Sequence, residues 1–298
     1  MNIQALTIMI FDNNMFDGDI SAIGNAENVQ ILQAGFNRLT GTFPASLVQM
    51  TTLIVMQLSS NYFEGTIPTN IGNNDTLRLF EVLLDNNRLS GEIPVSFGSL
   101  TNLELLKLNA NELVGTVPPG LVKLPQVAGL IVNSNKLSGK LADVFDSSDY
   151  ESFTAFRGID VSDNNFEGTI PSQIFHFPAL QLITVSKNCF SGKFPDNICA
   201  NNNLAVIYMD GLGAGNGCRK LLSEGVNGGE DVHTTNLFHD ELPQCLFNNL
   251  SNLVTLHIAG NGIDSHLPDI NTSRSILSTI DLSHNMIHST IPLSYQIS

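Results

Sequence analysis

The chain has 298 residues, 42% of them hydrophobic and 14% charged, with 13 Lys+Arg against 28 Asp+Glu and a net charge of −15. That apolar content excludes a disordered chain, and so few, scattered basic residues exclude a surface for nucleic acid or an anionic membrane. No run of roughly 18 apolar residues occurs, so the sequence predicts no membrane-spanning helix. The opening stretch, MNIQALTIMIFDNN, lacks a basic leader region and a small-residue cleavage site, so it does not read as a secretory signal.

From Leu6 onward one pattern recurs. Its anchor is an asparagine, at Asn14, Asn37, Asn61, Asn87, Asn111, Asn135, Asn164 and Asn188, and again at Asn261 and Asn285. Apolar residues stand three, five and eight positions before the anchor, as Leu58, Met56 and Leu53 do before Asn61. An apolar residue follows two positions after it, then Gly at four and Pro at seven, as in LSSNYFEGTIP. Repeats of this length predict a solenoid.

Each position has a physical task. Alternating apolar residues before the anchor predict a short strand with one buried face, and successive strands stack as a parallel sheet. Where the chain leaves the sheet, backbone groups lose their ladder partners. An Asn side chain carries both a donor and an acceptor to satisfy them. Gly eases the bend, and the residue before Pro is held extended. The stretch after Pro offers one helical turn with apolar residues inward.

The pattern L-x-x-N-x-L-x-G-x-I-P resembles the plant-type extracellular leucine-rich-repeat family, that of receptor-like protein and receptor-like kinase ectodomains, with algal relatives. The resemblance implies an α/β repeat solenoid: a right-handed superhelix with a parallel concave β-sheet, short lateral strands, and short convex helices or 3-10 turns. Residues 1–298 are then a single array of about eleven repeats. Neither end carries the cysteine-paired cap common in this family, which points to a piece of a larger protein.

The pattern breaks in two places. A long step from Asn135 to Asn164 holds an insert near residues 142–153. The other break is residues 210–235, either a looped-out segment or one eroded repeat with Asn236 as its anchor. The four cysteines, Cys189, Cys199, Cys218 and Cys245, cluster around it. Clustered, even-numbered cysteines suit disulfides in an oxidising compartment, with a Cys199–Cys218 or Cys218–Cys245 bridge expected to tether the loop; the alternative is four buried thiols. Sequons at Asn74, Asn249 and Asn271 permit glycosylation.

No nucleophile–base or metal-ligand motif is present, and no catalytic residue, metal or cofactor is assigned. His233, His239, Asp240 and Glu241 meet no known ligand spacing. The best place for function is the solvent face of the sheet, four residues before each anchor. The most varied part of that row is Lys107, Ile131, Asp160, Thr184, Tyr208 and His257. The expected role is non-catalytic recognition of a protein, peptide or glycan, outside the cell or at its surface. The alternatives are an inhibitor of a secreted polysaccharide-degrading enzyme, similar to polygalacturonase inhibitors, and the ectodomain of a receptor kinase.

Overall fold

The structure is a computed structural model that describes residues 5–73, 78–146, 150, 153–214, 218, 241–271 and 275–296. The backbone groups into two compact units, residues 1–137 and 138–298.

In the first unit, each coil sends one short strand into a parallel sheet. The strands are β1 (Ile8–Ile10), β3 (Ile31–Gln33), β5 (Val55–Gln57), β7 (Glu81–Leu83), β9 (Leu105–Lys107) and β11 (Gly129–Ile131), paired in that order. Lateral strands follow the anchors: β2 (Asp17–Gly18) pairs with β4 (Arg38–Leu39), and β6 (Glu64–Thr66), β8 (Arg88–Glu92) and β10 (Glu112–Gly115) pair onward to the start of β12 (Lys136–Lys140). After the Pro, 3-10 turns such as Ala45–Gln49 and Val95–Ser99 close the coil. The predicted inward positions form the core: Leu53, Met56 and Leu58 are 0% exposed.

The asparagines do what the sequence requires of them. Asn61 donates its side-chain amide to the carbonyls of Ala34, Leu58 and Ser59, and its oxygen accepts the Leu39 N–H of the preceding coil. Asn87 and Asn111 repeat this set one and two coils on. Gly91 shows why glycine follows: its φ is +75°, and a Cβ there would lie 2.8 Å from Thr66 Cγ2.

The sequence gives no hint of a further feature. The residue just before each anchor adopts left-handed backbone although it is seldom glycine, as at Ser60 (φ 56°), Asn86 (φ 56°) and Lys187 (φ 53°). Its N–H continues the ladder beyond the strand, with Ser60 N–H donating to Asp85 O and Lys187 N–H to Asp210 O. That bond holds a conformation which is otherwise unfavourable.

The second unit repeats the architecture with β13 (Gly158–Asp160), β15 (Leu182–Thr184), β17 (Val206–Tyr208), β18 (Thr255–His257) and β19 (Thr279–Asp281). The end of β12 pairs laterally with β14 (Asn165–Gly168), and β14 with β16 (Cys189–Phe190). Near the insert the chain makes a helical turn at Leu141–Val144, then buries Phe145, Tyr150 and Phe156 against Phe177. Phe156 and Phe177 stack at 4.2 Å. Ser265 and Ser289 stand where Gly is usual, and their hydroxyls accept the N–H groups of Leu242 and Leu267.

β17 pairs directly with β18, so no described strand lies between them in this sheet. Most of residues 210–235, with Asn236, lies outside the described residues. The cysteine pairing differs from the expectation: Cys189 bonds Cys218, and Cys199 bonds Cys245. The direct β17–β18 pairing is the reason. It stacks the helical turn Cys245–Asn248 on the turn that holds Cys199, with Cα atoms 6.0 Å apart. Cys218 is thereby left to Cys189, which is buried on β16.

Candidate functional site

In the second unit, alternate residues of each strand and its exit lie on the open face of the sheet. In the central row the register sets Asp160 beside Thr184, Thr184 beside Tyr208, Tyr208 beside His257, and His257 beside Asp281. All five are partly exposed. The structure thus makes Tyr208 and His257 immediate neighbours, although the sequence separates them by the whole irregular segment. Their rings meet edge to face, with centroids 4.6 Å apart.

The two acids of the row are each held by a serine of their own coil. Ser162 donates its hydroxyl and its N–H to Asp160 Oδ1, at 2.6 and 3.1 Å. Partial burial dominates nevertheless and pushes the Asp160 carboxyl above the usual carboxylate value, with the Ser162 bonds opposing it. Asp281 lies in the opposite environment: the backbone and hydroxyl of Ser283 hold its carboxyl below the usual value, helped by the nearby His257 and His284.

Asp210, on the exit of β17, is not singled out by the sequence pattern. Its Oδ1 accepts the Ala259 N–H at 2.6 Å, its own N–H donates to Ser186 Oγ at 2.9 Å, and its Oδ2 faces His257 Nδ1 at 3.7 Å. The last distance is an electrostatic approach, too long for a hydrogen bond. Among the described residues, His257 Nε2 is buried with no hydrogen-bond partner. A bare lone pair there costs less than a bare N–H, so the arrangement suits the tautomer with its proton on Nδ1, toward Asp210. The nitrogen a general base would show a substrate is therefore turned away from solvent.

Lys107 and Ile131 lie on the first unit's sheet, register partners on β9 and β11 and half-exposed. Among the described residues, no group of three His, Cys, Asp or Glu side chains is arranged to hold a metal ion, and no helix is long and apolar enough to cross a membrane. Asn249 and Asn271 are exposed. Asn74, His233, His239 and Asp240 lie outside the described residues.

Each unit is a leucine-rich-repeat solenoid, and comparison with known proteins agrees. Residues 78–100 match the family model Leucine Rich Repeat. A segment of 55 residues is 44% identical to the LRR receptor-like serine/threonine-protein kinase EFR of Arabidopsis thaliana, covering 18% of this chain and 5% of that protein. Among solved structures, the Arabidopsis receptor kinase HAESA, in complex with the peptide hormone IDA and the co-receptor SERK1, is similar at a TM-score of 0.71 and 24% identity. That match covers 98% of this chain and 48% of HAESA, so the chain spans about half of that receptor structure. A plant ice-binding protein is similar at a TM-score of 0.61 and 20% identity, over 97% of this chain and 77% of that one.

Proposed function

We propose that the chain is a non-catalytic recognition module, outside the cell or at its surface, that binds a protein, peptide or glycan ligand on its exposed sheet faces as part of a receptor-like or cell-surface protein. The fold alone does not decide this, since similar solenoids include a peptide-hormone receptor and an ice-binding protein. The observation that carries the reading is the row on the second unit. The anchors, the glycines and the buried positions are committed to structure. Asp160, Thr184, Tyr208, His257 and Asp281 are unlike side chains brought into one contiguous, half-exposed line.

Tyrosine is among the side chains that most often anchor interfaces, and Tyr208 stands at the middle of this row. Lys107 and Ile131 offer a smaller surface of the same kind on the first unit. The paired cysteines fit an oxidising compartment, and the likeness to EFR and HAESA favours a receptor-like parent.

The test is to express the chain through a secretory route, confirm both disulfides, and screen it against secreted peptides and ectodomains, locating each partner by crosslinking. The reading expects a partner whose crosslinks fall on the sheet-face strands. Crosslinks confined to the 3-10 turns, or no partner at all, would refute it.

A further inference from the structure

On the second unit the open sheet face has fifteen alternate positions, three on each of five strands and their exits, from Gly158, Asp160 and Ser162 to Thr279, Asp281 and Ser283, and their charges are of one sign. Asp160, Asp210 and Asp281 are carboxylates, and none of the fifteen is Lys or Arg. Among the described residues, the basic groups close to these strands in sequence stand outside the rows. Lys187 and His284 are exposed beside the anchors, and Arg157 precedes β13 with its guanidinium donating to Thr154 O and Ala155 O.

Against that background the middle of the face is incomplete. Asp210 Oδ2 and His257 Nδ1 face each other at 3.7 Å without closing a hydrogen bond. Tyr208 stands edge-on to the imidazole, a flat apolar surface in the midst of the charges. Among the described residues Asp160 is held by Ser162 alone, with no cation paired to its partly desolvated carboxylate.

We infer that this face docks an extended segment carrying basic side chains, with a Lys or Arg seated over Tyr208 and His257 between Asp210 and Asp281. The inference rests on the recognition role proposed above and names the chemistry of its ligand. Three features converge on a cation. Opposite charge lowers the cost of the ionised carboxylates. A guanidinium or ammonium over Tyr208 gains from the ring face. The long Asp210–His257 approach leaves Oδ2 free to accept a donated hydrogen bond. From Asp160 to Asp281 the row crosses four inter-strand steps of about 4.8 Å, roughly 19 Å in all, the reach of about six extended residues.

The experiment is selection from a random hexapeptide library by the disulfide-intact chain, repeated with Asp281→Asn and Asp160→Asn. Asp196→Asn, an equal change of charge off this face, is the control, and thermal melts confirm that every variant is folded. The expected result is enrichment of Lys- or Arg-containing peptides. Their affinity should fall about tenfold in Asp281→Asn, stay unchanged in Asp196→Asn, and weaken as salt is raised. Enriched peptides without basic residues, bound on the same face, would overturn the inference and leave the recognition role standing. Basic peptides weakened equally by Asp196→Asn would also overturn it, since the net charge alone would then account for binding. No enriched peptide at all would overturn both.

Discussion

Asn261 donates its side-chain amide to the carbonyl of Met209 at 2.7 Å, across 52 residues of chain. The equivalent bonds of Asn188 to Val161 and of Asn285 to Ile258 each span 27. Asn261 Oδ1 also accepts the Leu212 N–H, closing the turn that has no anchoring asparagine of its own. The coils of β17 and β18 are therefore direct neighbours. That places Tyr208 against His257, and it decides the disulfides.

Peptide mapping without reduction tests the pairing. The expected linked peptides join Cys189 to Cys218 and Cys199 to Cys245. The bridges close 29 and 46 residues, so each is worth about 3.5–4 kcal/mol on a loop-entropy account. Replacing either pair by serine should lower the melting temperature of the second unit by many degrees.

Asn188 is 0% exposed, donates to Val161 O, Val185 O and Ser186 O, and accepts the Phe166 N–H. Asn188→Ala should destabilise by about 1–3 kcal/mol through unsatisfied buried groups. Asn188→Asp should cost more, because it turns a carboxylate oxygen toward three carbonyls. Chemical denaturation of the two variants checks the order; an Asp variant as stable as the parent would refute the donor role.

Gly91→Ala should destabilise by about 1–2 kcal/mol, since the left-handed backbone and Thr66 both oppose a Cβ. Gly158→Ala is the contrast: the nearest atom to its added Cβ is Leu182 Cβ at 3.6 Å, an ordinary contact, and it should be tolerated.

Asp160 and Asp281 predict opposite pH effects. Burial raises the folded-state value of Asp160 above the ordinary 3.8, so its contribution to stability is fully present below pH 3.8 and is lost as pH rises through the raised value. Asp160→Asn should therefore melt above the parent at neutral pH, with the difference closing in acid. Asp281 is held below 3.8 by Ser283, so its contribution is present above 3.8 and lost as pH falls through the lowered value. Asp281→Asn should melt below the parent at neutral pH. Melting curves from pH 3 to 7 decide both signs.

Most of the fold was legible because it is local and periodic. The anchors, the inward Leu, Ile and Val positions and the turn glycines each have a task that one coil makes explicit. The cysteine pairing was not legible, since it depends on whether residues 210–235 form a coil, a question of which strands become neighbours. Asp210 escaped for the same reason: its partners Ala259 and His257 are neighbours only after the loop is skipped. The central row was visible as a list of positions, but the contact of Tyr208 with His257 needed the register. The left-handed residue before each anchor carries no compositional mark, because a backbone bond to the next coil, rather than glycine, holds it.

The central claim is that the second unit's sheet face is a contact surface. The measurement that tests it most directly is the affinity of a ligand selected by the chain for two sets of alanine variants. One set replaces Asp160, Thr184, Tyr208, His257 and Asp281; the other replaces Asn197, Asn203 and Asn252 on the turns across the solenoid. The account predicts a loss of at least tenfold, about 1.4 kcal/mol, for Tyr208→Ala and for at least one neighbour in the row, with the turn variants unchanged. Full affinity in every sheet-face variant, or losses confined to the turns, would contradict it.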